Sequence, residues 1–368
     1  MTHVPTRRKV LVLSAAVLVA ACMSEQASAF DVDGKRIELI VPFGEGGGTD
    51  TYARFMAPKL HEALPGDSTL IIRNIPGAGS IAGANQFEER AKPDGMTLLA
   101  VSQSTILNYV LNDPRVKFDP SKWVPILVSP LGNVAYVHQK TGIEEPYATA
   151  DKIKTLRDQE LILGANGPTS ADISNLVGYD MLQIPLKPVF GLNRGKSRQA
   201  FERGEFTLNT DSTAAFRKNA KSLIESGMGI PFTVQGYLNA EGDMIEDPGN
   251  PDIPTVAEAY EMVNGKRPSG PQFEAYKTLI SVSVMTSKAL VLPAGTPQEI
   301  VDFYREAMAK VIADPGWEKE SERFLGGYPT LLGREATAAL KSATTMDTET
   351  KKWLFDWLDE TYDVKRQM

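Results

Sequence analysis

Residues that form disulfides and metal sites are scarce in this sequence. Cys22 is the single cysteine, and there are three histidines among 368 residues. No intrachain disulfide can form, and a Cys/His metal cage would lack ligands. Lysine and arginine are scattered rather than clustered, and the net charge is −7, which excludes the electrostatic footprint of a nucleic-acid-binding protein. We expect no metal, no cofactor and no nucleic-acid partner.

Motifs of covalent and metal-assisted catalysis are missing too. The chain has neither the G-x-S-x-G of serine hydrolases nor the H-E-x-x-H of zinc proteases, and its cysteine lies near the N-terminus. No nucleophile with an adjacent base can be identified. The sequence therefore predicts a protein that is not an enzyme.

The N-terminus has the pattern of an export signal. A basic stretch at 7–9 precedes an apolar run at 10–21, and a small-x-small cleavage motif follows, which predicts a signal peptide over residues 1–29. Residues 19–22 also resemble a lipobox that would leave Cys22 lipidated. Soluble and lipid-anchored forms both stay open, as do Sec and twin-arginine export. No later run reaches the roughly 18 apolar residues of a membrane span, so we expect a periplasmic protein without one.

Strand and helix patterns alternate along the mature chain, and its length and 42% hydrophobic content allow two domains. Helical patterns separate most of the short β-branched runs, which predicts an α/β protein with mostly parallel sheets flanked by helices. The proline- and acid-rich residues 244–254 read as a linker or surface loop, and a helix is expected to begin at Thr296. The predicted strands include 37–43, 69–74, 96–102, 123–130, 134–139, 161–167, 187–193, 206–211, 279–287 and 289–295.

A glycine-rich corner follows the first predicted strand. Residues 44–48 read GEGGG, and glycines at a strand-to-helix turn expose main-chain N–H groups at the positive end of a helix dipole. Such a corner binds anions. The lysine of a P-loop is absent, and the G-x-G-x-x-G of a dinucleotide fold is broken at its last position. A nucleotide-dependent enzyme is thus a remote alternative. The other alternative for this corner is a tight strand-to-helix turn that binds no ligand.

Further corners are expected at the same edge of the sheet. Residues 76–80 form a second glycine-bearing turn, and residues 102–105 carry hydroxyl groups after the third predicted strand. Residues 164–170 form another glycine-bearing turn before a predicted helix, in the second half of the alternating pattern. Ligands of open α/β sheets lie outside the carboxyl ends of the strands. The corners therefore predict a cleft that closes around an anion.

Five segments together resemble one family. VPFGEGGGTDTYAR, RNIPGAGSIAGA, KPDGMTLLAVS, PDIPTVAEA and LPAGTPQEIVDFY are similar, in order over nearly the whole mature chain, to the substrate-binding receptors of tripartite tricarboxylate transporters, the Bug family. The resemblance implies a two-lobed periplasmic-binding-protein (Venus-flytrap) fold. One lobe would comprise residues 30–130 and 251–368, and the other residues 131–250.

The family resemblance also implies a function. Such receptors capture a small carboxylate, aliphatic or aromatic, and deliver it to a two-subunit membrane permease. A ligand-sensing receptor for a signalling kinase needs the same cleft and stays an alternative. The identity of the carboxylate stays open, and a monomer is expected.

Ligand-binding residues are carried over from the resemblance position by position. Asp211 is expected after a later strand, while Arg194 would contact a second carboxylate or lie solvated in its loop. Two segments of the second predicted lobe depart from the family pattern: the residues around Thr169 and residues 191–195. This weakens the prediction of which ligand is bound. The full set of expected ligand-binding residues is Phe43, Gly46, Gly47, Gly48, Thr49, Ser80, Ser102, Thr105, Thr169, Ser170 and Asp211.

Overall fold

Two mixed β-sheets, each flanked by helices, form the body of the protein. The structure is a computed structural model that describes residues 30–367. The predicted signal peptide and the lipidation at Cys22 lie outside the described residues. No helix in the described range is long and apolar enough to cross a membrane.

The strands follow the predicted order closely. They are β1 (Arg36–Val41), β2 (Thr69–Asn74), β3 (Thr97–Ser102), β4 (Val124–Ser129), β5 (Asn133–His138), β6 (Leu161–Gly164), β7 (Leu186–Val189), β8 (Leu208–Ser212), β9 (Gly229–Val234), β10 (Tyr237–Leu238), β11 (Met244–Ile245), β12 (Lys288–Leu292) and β13 (Leu331–Leu332).

The helices of the described residues lie between these strands and at the C-terminal end. They are α1 (Gly48–Ala63), α2 (Ile81–Arg90), α3 (Gln103–Val110), α4 (Ala150–Arg157), α5 (Ile173–Met181), α6 (Arg194–Glu202), α7 (Thr213–Asn219), α8 (Lys221–Glu225), α9 (Val256–Asn264), α10 (Pro271–Ile280), α11 (Gln298–Ile312), α12 (Trp317–Leu325), α13 (Gly333–Thr344) and α14 (Thr348–Tyr362).

The first sheet combines a parallel half with an antiparallel half. Its order is β13-β4-β12-β3-β1-β2, with β1 parallel to both β2 and β3. Strand β12 runs antiparallel to β3 and β4. The apolar residues of β3 and β12 are buried because helices cover both faces. The sheet is therefore mixed, where a mostly parallel one was predicted, because β12 re-enters it from the opposite direction.

The second sheet has the order β7-β6-β8-β5-β9. Strand β6 is parallel to β7 and β8, while β5 is antiparallel to β8 and β9. The chain enters this sheet through residues 130–132, which link β4 to β5. It leaves after β9 and returns to the first sheet at β12. The exact lobe boundaries stay a prediction.

Two local predictions are wrong. Residues 279–287 were expected to form a strand, but they form the end of α10 and a π-helical turn, Ser281–Met285. Every residue of that turn is buried, and a short run that is apolar on all sides does not distinguish a strand from a buried helix. The stretch at 244–254, predicted as a linker or surface loop, is not an exposed loop throughout, because it includes β11 and buries Asp247 and Asn250. Both side chains are held by hydrogen bonds near Tyr328.

One helix start differs in detail. Helix α11 begins at Gln298, with Pro297 at the N-cap position. The hydroxyl of Thr296 does not cap this helix, because it donates to the carbonyl oxygen of Pro293 at 2.7 Å. The predicted helix is therefore present, but its N-cap is Pro297 and not Thr296.

A cationic cleft between the two sheets

A cleft of about 910 Å³ lies between residues of the first sheet and residues of the second. Its volume is within the usual range of small-molecule sites. Loops and helix starts after the strands form most of its wall, as ligand sites in α/β sheets require. The wall comprises Gly46, Gly48, Thr51, Tyr52, Phe55, Gln103, Ser104, Leu131, Asn133, Asn166, Ala171, Asp172, Asn193, Arg194, Gly195, Arg198, Asp211, Ser212, Ala214, Ala215, Lys218, Asn219, Ser287, Lys288, Arg323, Phe324 and Leu325.

The glycine corner on the first-sheet side is closed in part by Asp50. The main-chain N–H of Gly46 donates to Asp50 Oδ2 at 2.9 Å. Arg54 Nε donates to the same oxygen at 2.8 Å, and Asn74 Nδ2 donates to Oδ1 at 2.9 Å. Hydrogen bonding to Arg54 is the main cause that lowers the pKa of Asp50 to about 2. One donor that was expected to face a ligand is therefore occupied by a carboxylate of the protein.

Other donors at this corner stay available. The N–H groups of Gly48 and Thr49 have no hydrogen-bond acceptor within residues 30–367. They belong to the first turn of the 16-residue helix α1, where N–H groups have no intrahelical partner. Gly46 has φ of +75°, a conformation that glycine adopts without strain. The corner can thus donate to an anion, with fewer N–H groups than the sequence indicated.

The corner on the second-sheet side is closed in the same way by Asp172. The N–H of Asn166 donates to Asp172 Oδ2 at 2.8 Å, and the Ser170 hydroxyl donates to the same oxygen at 3.0 Å. Arg194 Nη2 forms an ion pair with Asp172 Oδ1 at 2.6 Å. Arg194 is therefore a half-buried member of the cleft and not a solvated loop residue, because Asp172 holds its guanidinium.

Asp211 holds a second arginine in place. Its Oδ2 accepts from Arg198 Nε at 2.9 Å, and its Oδ1 accepts from Arg198 Nη2 at 2.7 Å. The hydroxyl of Tyr136 donates to Oδ2 at 2.9 Å. Asp211 is fully buried, and the side-chain hydrogen bond to it raises the pKa of Arg198. The main contact of Asp211 at the cleft is therefore with Arg198. The Nη1 atom of Arg198 takes no part in this pair.

The structure brings only some of the predicted site residues to the cleft. Gly46, Gly48 and Asp211 line it directly. Ser102 and Thr105 are buried and do not line the cleft, with 3.5 Å between their side-chain oxygens. The remaining predicted residues belong to the same corners but are not among the lining residues: Phe43, Gly47, Thr49, Ser80, Thr169 and Ser170.

Ser80 has an unusual conformation. It has φ of +90°, and its buried hydroxyl has no hydrogen-bond partner among the described residues. Ala78, two residues earlier, also has a positive φ, of +47°. Positive φ is uncommon for residues other than glycine and is often found near functional sites. The second glycine-bearing turn is therefore strained, although Ser80 does not line the cleft.

Sequence reasoning missed several cleft residues. Lys288 opens β12 and faces the cleft, but it lies between the predicted strands at 279–287 and 289–295 and was assigned to neither. Arg198 lies on α6, four residues after Arg194, without a motif of its own. Phe55 and Phe324 stack with 4.3 Å between ring centroids and give the cleft an aromatic wall.

The charge of the cleft is positive, although the chain as a whole is acidic. Two carboxylates, Asp172 and Asp211, are matched by their own arginines. Three further cationic side chains line the cleft without an ion pair to any described carboxylate: Lys218, Lys288 and Arg323. Net positive potential in a concave site attracts anions and raises their local concentration. The arrangement is that of an anion-binding site.

Comparison with known proteins shows what the chain is similar to. No family model matches the chain. It is 25% identical over 346 residues to a UPF0065 protein of Bordetella bronchiseptica, covering 90% of this chain and 88% of the relative. It is 23% identical over 364 residues to a UPF0065 protein of a Pseudomonas species, covering 94% and 92%. The similarity therefore extends over nearly the full length of both relatives.

Solved structures show the same two-lobed architecture. A TctC solute-binding protein from Polaromonas has a TM-score of 0.63 at 20% identity, covering 88% of this chain and 98% of that one. The periplasmic binding protein BugD has a TM-score of 0.59 at 20% identity, covering 90% and 99%. MatC from Rhodopseudomonas palustris, solved with malate, has a TM-score of 0.56 at 20% identity, covering 88% and 98%.

The solved structures show the fold first: it is the two-lobed fold found in periplasmic solute-binding proteins. The resemblance to the receptors of the Bug family, stated from the sequence, is then confirmed by the UPF0065 relatives together with BugD and the TctC protein.

Proposed function

We propose that this protein is an extracytoplasmic receptor that captures a small carboxylate between its two lobes. It would deliver that ligand to a two-subunit membrane permease of the tripartite tricarboxylate type. The observation that carries the proposal is the cleft itself, in which cationic side chains outnumber carboxylates between the two sheets. A carboxylate needs donors and positive charge, and this cleft offers both.

The chemistry required is binding and not turnover. A ligand that contacts residues of both sheets stabilises the closed arrangement by its differential affinity for that arrangement. Arg198 can donate through the part of its guanidinium that Asp211 does not use. The N–H groups at the start of α1 can donate from the opposite side. The ligand would thus be released unchanged when the lobes separate.

Structural neighbours support the ligand class. MatC was solved with malate, and another R. palustris protein of this fold, with a TM-score of 0.59, was solved with adipate. Both ligands are small carboxylates. Phe55 and Phe324 provide apolar surface for the carbon skeleton of such a ligand. We extend the carboxylate class, and not either compound, to this chain.

A thermal-shift panel tests the proposal. The mature protein would be screened against aliphatic and aromatic mono- and dicarboxylates, with amino acids and nucleotides as other classes. A ligand at 100 times its dissociation constant stabilises the folded form by roughly 2.7 kcal/mol, so a carboxylate is expected to raise the melting temperature. Recovery of that ligand unchanged after incubation is also expected. Stabilisation by nucleotides alone, or conversion of the carboxylate, would contradict the proposal.

The permease partner needs a separate measurement. Uptake of the identified carboxylate by cells that hold the permease genes is expected to require this protein. Uptake that is unchanged when the protein is deleted, together with a loss of ligand-dependent gene expression, would favour the sensing alternative.

A further inference from the structure

Lys288 is a cation that lies at the cleft without an ion pair to any carboxylate of residues 30–367. It pairs in register with Ser102 of β3 and Ser129 of β4, at the middle of the first sheet. Its side chain is partly buried and lines the cleft. The ammonium group donates to the carbonyl oxygen of Ser287 at 3.1 Å. None of the ion pairs within residues 30–367 includes it.

The arginines of the cleft differ from Lys288 in this respect. Arg194 is paired with Asp172, and Arg198 is paired with Asp211. Lys218 and Arg323 are unpaired but exposed, so water solvates their charges. Among these five cations, Lys288 alone is partly buried and has no carboxylate partner in the described part of the chain. Withdrawing an ammonium group from water is costly unless an anion compensates.

The burial of Lys288 has a measurable consequence. Desolvation lowers its pKa to about 8, because burial disfavours the charged form of a lysine. An anion bound beside the ammonium group would favour that charged form and reverse the shift. Lys288 would then take up a proton when the ligand binds. This coupling separates a direct ion pair from a distant electrostatic effect.

We propose that Lys288 binds a carboxylate group of the ligand directly and is the main charged determinant of ligand selection on the first-sheet side. This inference rests on the proposed function, since it assigns one contact of that site. It adds a charged side chain to the main-chain N–H groups and hydroxyls expected at these corners. Asp50 already occupies one of those donors, whereas Lys288 has no competitor of the protein's own among the described carboxylates.

The first test is titration calorimetry with the best carboxylate of the thermal-shift panel. At a pH near 8, where burial leaves part of the Lys288 side chains uncharged, binding should take up a fraction of a proton. Comparing binding enthalpies in HEPES and Tris buffers, which differ in their enthalpy of ionisation, measures this uptake. Lys288→Met should weaken binding at least tenfold and abolish the uptake. Lys288→Arg should keep part of the affinity without proton uptake, because arginine is always charged.

A matched control excludes a general charge effect. Lys196 is exposed on α6 and does not line the cleft, so Lys196→Met should change neither affinity nor proton uptake. The melting temperature of ligand-free Lys288→Met should equal or exceed that of the wild type, because an uncompensated cation is removed. A marked fall would assign Lys288 a structural role and overturn the inference.

The outcomes separate the two proposals. If no carboxylate binds the wild type, the proposed function fails. If a carboxylate binds with unchanged affinity to Lys288→Met and without proton uptake in the wild type, only the assignment of Lys288 fails.

Discussion

Asp211 and Arg198 form a two-point pair, with 2.9 Å from Oδ2 to Nε and 2.7 Å from Oδ1 to Nη2. The carboxylate is fully buried, and the arginine side chain is 15% exposed at the edge of the cleft. Such pairs fix the plane of the guanidinium as well as its position. The sequence predicted Asp211 as a ligand-binding residue, and in the structure its carboxylate fixes the position of Arg198 at the edge of the cleft.

Arg198→Lys tests the importance of that orientation. Lysine keeps the charge but cannot reproduce the planar, two-point contact with Asp211. We expect about a tenfold loss of affinity for the carboxylate, or about 1.4 kcal/mol, measured by calorimetry. Lys196→Met, on the same helix, should have no effect. Unchanged affinity in Arg198→Lys would show that the guanidinium does not contact the ligand.

Asp50→Asn tests the pH dependence of the glycine corner. The pKa of Asp50 is lowered to about 2 in the folded protein, below the roughly 3.9 of an unfolded chain. Its stabilisation is therefore complete above about pH 5 and lost as the pH falls toward 2. We expect the variant to lose about 1–2 kcal/mol at pH 7, allowing for the exposed Arg54 partner, and to approach the wild type in acid.

Urea denaturation at several pH values measures this difference. Asp151→Asn is the control, because Asp151 forms only an exposed ion pair with Lys154, 3.3 Å away. A pH-independent gap between wild type and Asp50→Asn would mean that the carboxylate charge is not the cause.

Gly83→Ala tests a close backbone contact beneath the second turn. A Cβ at this position would lie 2.7 Å from the carbonyl oxygen of Ile75 and 2.7 Å from Pro42 Cα. Backbone atoms cannot move away as a flexible side chain can, so we expect a loss of about 1–3 kcal/mol in the free energy of unfolding. Gly44→Ala, where no atom lies within 4 Å, should be near neutral. Equal stability of the two variants would refute the packing argument.

Tyr328→Phe tests the buried hydrogen bonds close to the link between the sheets. The Tyr328 hydroxyl lies 2.6 Å and 2.7 Å from the two oxygens of Asp247 and 3.0 Å from Thr213 Oγ1. Burial raises the pKa of Asp247, so the loss of a donor makes its ionised form still less favourable. We expect destabilisation of about 1–3 kcal/mol by chemical denaturation.

Tyr260→Phe is a suitable comparison for this variant. The Tyr260 hydroxyl makes no hydrogen bond within the described part of the chain, so its removal should cost little. Equal stability of Tyr328→Phe and Tyr260→Phe would mean that the Tyr328 hydroxyl does not stabilise the protein near the link between the sheets.

Much of the fold was predictable because local patterns decide it. The runs at 69–74 and 97–102 are short, β-branched and bounded by turn residues, and both form strands within a residue of expectation. The glycine corner at 44–48 was predictable for the same reason. Residues 279–287 failed because their environment, and not their periodicity, made them helical.

The sequence by itself determined where the strands end and where glycine frees main-chain donors, because both depend on residues that are neighbours in the chain. Only the tertiary structure decided which charges meet. Antiparallel insertion of β12 brings its first residue, Lys288, beside Ser102, the last residue of β3. A lysine thereby lies next to a predicted anion-binding turn that comes 186 positions earlier in the chain. The pairing of β12 with β3 depends on contacts between distant segments, and no local pattern encodes it.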